Sequence, residues 1–179
     1  MAQTQETHAQ SLDPAWLADF LERWEGAWNS HDADRLLALM TEDIVYDDSS
    51  WPTTMRGHDA VREFLEFVWR GSPDMRFTLT DGPYIVPGEP KAAFYWTGTG
   101  TNTGPVDPPG FAATGKSLEF EGADFHEYRD GRVCRLRIVF DMLDIGRQLG
   151  TVPKAGSAVE KAGAAAQRLA VAVQSRLRR

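Results

Sequence analysis

The chain has 179 residues, 42% of them hydrophobic, and a formal net charge of −7. This length and apolar content predict one domain with a sizeable core, and the acidic balance argues against nucleic acid or an anionic membrane as the main partner. The single cysteine, Cys134, excludes an internal disulfide, and we find neither a signal peptide nor an apolar run of membrane-spanning length. We therefore expect a soluble cytoplasmic protein.

Three helices are predicted in the N-terminal part. Asp13 followed by Pro14 is a typical helix start, Asp32 caps a second helix, and Gly57 precedes a third. The first helix carries large apolar residues at helical spacing: Leu17, Phe20, Leu21, Trp24 and Trp28. This stripe is typical of core packing, and Trp24 and Trp28 are also suited to the wall of a pocket.

A short strand, predicted at Ile44–Asp47, ends in two adjacent carboxylates, Asp47 and Asp48. Neighbouring residues of a strand face opposite ways, so at most one of the two points inward. Trp51, in the loop that follows, is either an exposed ring or a lid over a pocket. Tyr46 is a candidate wall residue of the same pocket.

Long strands are predicted in the second half. Two run over Met75–Asp81 and Ala92–Asn102, separated by the turn-rich stretch Gly82–Pro90. The second carries Trp96, another candidate wall residue. The loop at Thr103–Gly115 is rich in Gly and Pro, and it either covers a site or is a plain connection.

The stretch Glu119–Gly150 is predicted to form a strand, a tight turn at Asp130-Gly131, a second strand and a short helix. Alternation places apolar and ionisable residues together on one face of the first strand: Leu118, Phe120, Asp124, His126 and Tyr128. Such a mixed face predicts a lined cavity. The second strand leads to Asp141. Alternation places Asp141 on the face opposite the apolar residues, so an inward-facing Asp141 requires a bulge or the end of the strand near Phe140.

The C-terminal segment differs in composition from the rest. Residues 152–179 are Ala-rich and contain six Lys or Arg residues and one Glu, a net charge of +5, which leaves −12 for the remainder of the chain. The apolar spacing predicts a helix that is either loosely held at the surface or docked on the acidic body or on a second subunit. The predicted organisation is a disordered tail at 1–12, one domain at 13–151 and this extension.

The order of elements predicts an α+β fold: a strongly curved antiparallel sheet that forms a cone, with three N-terminal helices on its concave side. The segment WNSHDADRLLALMTEDIVYDD, the Gly57 helix start, the ATGK at Ala113–Lys116, the Asp130-Gly131 turn and the ending FDMLDIGRQLG resemble the SnoaL-like polyketide cyclases. These belong to the nuclear transport factor 2 superfamily, together with ketosteroid isomerase and limonene epoxide hydrolase. The resemblance covers roughly Pro14 to Gly150.

The resemblance implies a cofactor-free cavity in which a carboxylate moves protons on a carbonyl substrate, as in intramolecular aldol closure of a polyketide. It assigns the acid/base role to Asp141. Comparison with ketosteroid isomerase adds Asp48 as a base and Asp124 as an acid at the oxyanion, but Trp24 stands near the place of that enzyme's tyrosine. The resemblance also implies a homodimer formed through the outer face of the sheet.

Enolisation needs a base near an acidic C–H group and a donor near the carbonyl oxygen. Burial in an apolar cone raises the pKa of an aspartate and makes it useful as a base. His126 shares a strand face with Asp124, as a catalytic partner or as a structural one. We find no spacing typical of a metal site.

Three functions remain open at this stage. The first is a cyclase or isomerase that acts on a small hydrophobic or polyketide-like ligand. Its catalytic candidates are Asp141, His126, Asp124 and Asp48. The residues expected around the ligand are Tyr46, Trp51, Trp28, Trp96 and Trp24. The second is a binding protein without catalytic activity. The third is epoxide opening through an Asp–Arg–Asp network that would include Arg137.

Overall fold

The computed structural model describes residues 11–107 and 110–178, so the prediction of a disordered tail falls almost wholly outside the described residues. The helices in the described ranges are α1 (Pro14–Asn29), α2 (Ala33–Leu37), α3 (Gly57–Gly71), α4 (Met142–Leu149) and α5 (Ala158–Leu177). The strands are β1 (Met40–Asp48), β2 (Met55–Arg56), β3 (Arg76–Ile85), β4 (Lys91–Thr101), β5 (Ser117–Arg129) and β6 (Arg132–Phe140).

Side-chain caps fix the starts of most helices. The carboxylate of Asp13 accepts a hydrogen bond from the Ala15 amide at 2.8 Å, and that of Asp32 accepts one from the Asp34 amide at 3.0 Å. Such caps satisfy amides that have no partner within the helix. The predicted starts of α1 and α2 are therefore confirmed.

The six strands form one sheet in the order β2-β1-β6-β5-β4-β3. Pairing is antiparallel, as predicted, except between β1 and β6, which run parallel. The predicted α+β cone is confirmed: the sheet is strongly curved, and α1 and α3 pack against it.

The third strand is longer than the sequence predicts, because it continues through Gly82 and Pro83 to Ile85. The pairing of β3 with β4 shifts register on both sides of Asp81, and Gly82 has a φ of +100°. A bulge with a left-handed glycine lets the chain bend without leaving the sheet. The reversal lies further on, where the Val86 amide donates to the Lys91 carbonyl at 3.0 Å.

A bulge at Cys134 sets the faces of β6. Glu127 pairs with Arg135 and Tyr128 pairs with Val133, so Cys134 has no partner opposite it. Alternation then runs undisturbed to the end of the strand. The bulge that an inward-facing Asp141 required near Phe140 is not there, since the irregularity lies at the other end of the strand.

The core fills the space between the inner face of the sheet and the helices. Phe20, Trp24 and Phe64 from α1 and α3, together with Tyr46 and Leu136 from β1 and β6, are almost completely buried. Burial of each large apolar side chain contributes about 1.5 to 3 kcal/mol relative to exposure.

The predicted C-terminal helix is present as α5, and its side chains are largely exposed. Leu169 and Val173 on its apolar stripe are 67% and 48% exposed. One ion pair joins it to the body, between Arg147 and Glu160 at 3.5 Å. None of the described helices is long and apolar enough to cross a bilayer.

Candidate functional site: carboxylates in an apolar cavity

A cavity of about 450 Å³ lies between α1, α3 and the inner face of the sheet. Most of its lining is apolar and aromatic, and these residues include Trp24, Trp28, Phe64, Phe77, Trp96 and Phe120. The carboxylates of Asp48 and Asp124 are also part of the lining. Glu25 lines the cavity as well, and its Oε2 accepts a hydrogen bond from the Leu79 amide at 2.8 Å. Cavities of this size and polarity are typical of small-molecule sites.

Strand register aligns Asp48 and Asp124 across the sheet. Asp48 pairs with Ile138 on β6, and Ile138 pairs with Asp124 on β5. Neighbouring strands lie about 4.8 Å apart, so the two aspartate Cα atoms are separated by about 10 Å along the sheet. Because the sheet is concave on this side, both side chains face the same cavity, with Ile138 between them.

Asp48 is half-buried at the end of β1. Its Oδ1 accepts hydrogen bonds from the Ser50 amide at 2.7 Å and from the Ser50 hydroxyl at 2.5 Å. Burial raises the pKa of Asp48 to about 6, the Ser50 hydrogen bonds oppose this rise, and the negative charge of Asp124 adds to it. Asp48 therefore changes its protonation state near neutral pH, as a general base must.

Asp124 is 3% exposed and has one short hydrogen bond. The indole Nε1 of Trp96 donates to its Oδ1 at 2.6 Å. The other oxygen, Oδ2, lies 3.5 Å from Nε2 of His126, and that nitrogen has no hydrogen-bond partner among the described residues. We therefore treat the Asp124–His126 approach as a contact rather than as a hydrogen bond.

His126 lies behind Asp124 and does not line the cavity. Its ring packs between Trp24 and Phe94, with ring centroids 4.6 and 4.7 Å away, and its Nδ1 lies 3.0 Å from the Tyr128 hydroxyl. Burial lowers the pKa of His126, although Asp124 opposes this effect. The imidazole is thus neutral at pH 7.

Tyr46 occupies the next inward position of β1 before Asp48. Its side chain is fully buried against Phe64, and its hydroxyl has no hydrogen-bond partner within the described ranges. Burial raises its pKa well above 10, and the charges of Asp48 and Asp124 raise it further. Tyr46 is therefore a permanently protonated residue beneath the cavity and not part of its lining.

Asp141 lies outside the cavity. It is exposed and caps α4, where its Oδ1 accepts hydrogen bonds from the amides of Leu143 at 2.9 Å and Asp144 at 3.1 Å. Its neighbours Phe140 and Met142 line the cavity instead. The strand ends at Phe140, so the chain turns into the helix before Asp141 can face inward.

The predicted wall residues divide into two layers. Trp24, Trp28 and Trp96 line the cavity. Trp51 lies further out, packed on Phe64 and Phe67 with ring centroids 5.5 and 5.2 Å away, and does not line it.

Arg137 lies on the exposed face of β6 and pairs in register with Phe125. Asp124 is on the opposite, buried face of the sheet, and Asp141 caps α4. The described residues therefore do not form the Asp–Arg–Asp network that epoxide opening would use.

The cavity is closed by α4 and by the loop after β4. Gln148 of α4 bonds to both backbone groups of Glu119, accepting from its amide at 3.0 Å and donating to its carbonyl at 2.7 Å. Lys116 donates to the last helical carbonyl, that of Leu149, at 3.0 Å. The ATGK and QLG segments, which are far apart in sequence, thus meet at this closure.

Sequence reasoning missed several residues of the site. Ser50 bonds to Asp48, and buried Asn102 lines the cavity while its Oδ1 accepts from the Thr114 amide at 2.9 Å. Gly98 and Gly122 interrupt β4 and β5 where aromatic rings cross over them. Glycine inside a strand often marks such a close approach, and this signal was available in the sequence.

Within the described ranges, no group of three or more His, Cys, Asp or Glu side chains is arranged to hold a metal ion. A sequence profile of the SnoaL-like domain matches residues 21–136. None of the curated proteins matches the chain in sequence at a significant level.

Solved structures resemble the chain over most of its length. TsrD from Streptomyces laurentii is 25% identical, with 79% of this chain and 99% of that one aligned and a TM-score of 0.66. AclR from Streptomyces galilaeus, a candidate hydroxylase, is 21% identical over 93% of this chain and 99% of its own, with a TM-score of 0.65. A candidate SnoaL-like polyketide cyclase from Jannaschia sp. CCS1 is 17% identical over 81% and 100% of the two chains, with a TM-score of 0.67.

Proposed function

Since this chain belongs to the SnoaL-like domain family, we propose that it is an acid/base enzyme that enolises a carbonyl compound held in the apolar cavity. The product is either the closed ring of an intramolecular aldol condensation of a polyketide or an isomerised ketone. One observation carries this proposal: Asp48 lines the cavity, and burial raises its pKa to about 6.

In the proposed reaction, the Asp48 carboxylate removes a proton from the carbon next to the substrate carbonyl. The electrons of the C–H bond form the enolate, and Asp124, in its carboxylic-acid form, donates a hydrogen bond to the enolate oxygen. For ring closure, the enolate carbon attacks a second carbonyl of the same molecule, and the resulting alkoxide takes up the proton that Asp48 removed, which restores the carboxylate. For isomerisation, Asp48 returns its proton to another carbon.

The separation of the two carboxylates supports these roles. A row spacing of about 10 Å between their Cα atoms leaves room above Ile138 for the reacting part of a substrate. The apolar walls exclude water, which strengthens interactions with charge that develops during the reaction. The polyketide cyclase named among the similar structures supports the choice of a polyketide, although it shares only the fold.

The decisive experiment follows the exchange of carbon-bound hydrogen for deuterium in a bicyclic aromatic β-diketone, measured by NMR in D₂O. We expect Asp48→Asn to slow exchange by about 100-fold or more, which is the usual contribution of a general base. Asp47→Asn is the matched control, because the same change is made one residue away, where the Asp47 carboxylate instead accepts from Thr54 at 2.6 Å. Wild-type exchange in Asp48→Asn would contradict the proposal.

Asp141→Asn tests the assignment that the resemblance makes. We expect a change in exchange rate of less than about fivefold, because Asn also caps helices well and the carboxylate does not reach the cavity. A loss as large as that of Asp48→Asn would return Asp141 to the leading role.

The same assay separates an enzyme from a binding protein of this fold. If the diketone binds to the wild type, as shown by its chemical-shift changes, but exchanges no faster than in buffer at any pH, the cavity is a binding site without catalysis. We expect acceleration instead.

A further inference from the structure

The Trp96 ring lies in the cavity wall directly over a glycine. It pairs directly with Gly122 across β4 and β5. A Cβ atom on Gly122 would lie 2.5 Å from Cζ2 of the Trp96 ring and 2.7 Å from the Val139 carbonyl oxygen. Real Cβ atoms do not approach other atoms so closely, so the indole can lie over the strand only because residue 122 has no side chain.

The position of the ring over Gly122 places the indole N–H within hydrogen-bond distance of Asp124. Asp124 follows Gly122 by two residues, on the same face of β5, and its Oδ1 accepts from Trp96 Nε1 at 2.6 Å. An indole N–H is a donor only and does not ionise at working pH, so its hydrogen bond persists in both protonation states of the carboxyl group. No other hydrogen bond to the Asp124 carboxylate is present among the described residues.

A second pair repeats the packing without the polar contact. Phe120 pairs directly with Gly98, and a Cβ atom on Gly98 would lie 2.7 Å from the Cζ atom of the Phe120 ring. Neither glycine has a positive φ, so space rather than backbone conformation requires them. The two pairs differ in two respects: only the Trp96 ring carries a donor, and only the Cβ atom on Gly122 would also meet a backbone atom, the Val139 carbonyl oxygen.

We propose that Trp96 is a positioning residue, which lies over Gly122 and holds the Asp124 carboxyl group by Oδ1, so that this group meets the substrate in one fixed orientation. This inference rests on the proposed function for its catalytic consequence, but the geometry itself is independent of activity. Without the indole N–H, Asp124 would lose its only short hydrogen bond. Its carboxyl group would then be free to rotate away from this orientation.

Trp96→Phe removes the donor and keeps an aromatic ring over Gly122. We expect kcat for diketone exchange to fall by about 10- to 100-fold with KM changed by less than about threefold, because the carboxyl group is misplaced while the wall remains. A rise in KM with kcat unchanged would mean that Trp96 only packs against the ligand, and would overturn the proposal.

Indole NMR gives a readout that does not depend on turnover. The Trp96 ¹H–¹⁵N resonance is assigned by its absence in Trp96→Phe. We expect it to shift in Asp124→Asn, because a carboxamide replaces the carboxyl group that accepts the indole N–H. An unchanged resonance would overturn the proposal even if the enzyme is active, whereas a shifted resonance in a protein without turnover would locate the failure in the proposed function.

The two glycines supply a matched pair. Gly122→Ala and Gly98→Ala each place one methyl group against a cross-strand ring, and both are expected to lower the melting temperature. Only Gly122→Ala is expected to shift the Trp96 resonance and to reduce kcat to the level of Trp96→Phe. Equal effects of the two substitutions on the resonance would show that general strain, and not the position of Trp96 over Gly122, controls the Trp96–Asp124 hydrogen bond.

Discussion

Adjacent carboxylates at the end of β1 have opposite environments. Asp47 accepts from the Thr54 hydroxyl and lies 3.9 Å from Arg135 on the outer side of the sheet. Asp48 faces the cavity, where burial raises its pKa to about 6. One position along a strand therefore separates an ordinary surface acid from a candidate base.

Ionisation of Asp48 has a measurable effect on the rate. We expect the rate of diketone exchange to fall as the pH is lowered through about 6, because the base becomes protonated. A pH–rate profile measures this fall, and a rate that stays constant through about pH 6 would contradict the role of Asp48.

Asp48 should also lower the stability of the fold at neutral pH. The folded state binds its proton more tightly than the unfolded state, whose pKa is near 3.8, so the ionised side chain destabilises the protein fully above about pH 6 and not at all below about pH 4. The pKa difference corresponds to at most about 3 kcal/mol, which partial exposure reduces. We expect Asp48→Asn to raise the free energy of unfolding by about 1 to 2 kcal/mol at about pH 7.5.

Urea unfolding of Asp48→Asn and the wild type at about pH 7.5 and about pH 4 measures this difference. The gain should shrink at the lower pH, where the wild-type carboxyl group is already neutral. Asp47→Asn should show no such gain. A variant that is less stable than the wild type at about pH 7.5 would mean that the Ser50 hydrogen bonds outweigh the burial of charge.

At the scale of elements, α5 stands apart from the rest. It is a 20-residue helix whose side chains are largely exposed, and isolated helices of this length are only marginally stable in water. The sequence predicts α5 either as a loosely held surface helix or as a docked one. The two alternatives predict different effects of its removal on stability and oligomer mass.

Deletion of residues 155–179 is expected to change the melting temperature by less than about 2 °C, because α5 buries little apolar surface against the body. Differential scanning calorimetry and light scattering measure stability and oligomer mass. Leu169→Glu in the full chain is the companion variant, since it keeps the helix and disrupts its apolar stripe. A lower oligomer mass in both variants would favour docking on a second subunit.

Local patterns in the sequence predicted local structure well. The inward face of β5, with Asp124 and His126, follows from simple alternation, and the starts of α1 and α2 follow from their capping residues. The exclusion of Asp141 from the cavity could not be predicted, because it depends on where β6 ends and where its bulge lies. The Trp96–Asp124 hydrogen bond likewise depends on the register of two strands, which only the folded sheet fixes.

At the scale of the whole molecule, the outer face of the sheet carries exposed apolar residues. Tyr95, Phe125 and Val139 are 44%, 48% and 36% exposed on three neighbouring strands. Exposed carboxylates on β5, such as Glu121, and exposed guanidinium groups on β6, such as Arg137, border them. A two-fold axis through this patch would set opposite charges against each other, which is the arrangement that a homodimer needs.

The homodimer thus remains a prediction with a direct test. We expect Phe125→Lys to convert it to a monomer, because two buried lysines would meet near the axis without partners. Light scattering coupled to gel filtration gives the mass. Val171→Lys on α5 is the control, since it places the same charge on another exposed apolar site, Val171 being 52% exposed. A wild-type monomer would contradict the prediction outright.

The parallel pairing of β1 with β6 has a consequence for the order of folding. Strands β3 to β6 are joined by successive antiparallel pairings, whereas Asp48 pairs with Ile138, which lies 90 positions further along the chain. Loop closure over such a length is slow and costly, so we expect β1 to join the sheet last. Pulsed hydrogen exchange should therefore show amides of β4 and β5 protected before those of β1. Until that step Tyr46 and Asp48 remain in water, and the proposed base, Asp48, reaches its raised pKa only when the rest of the cone already exists.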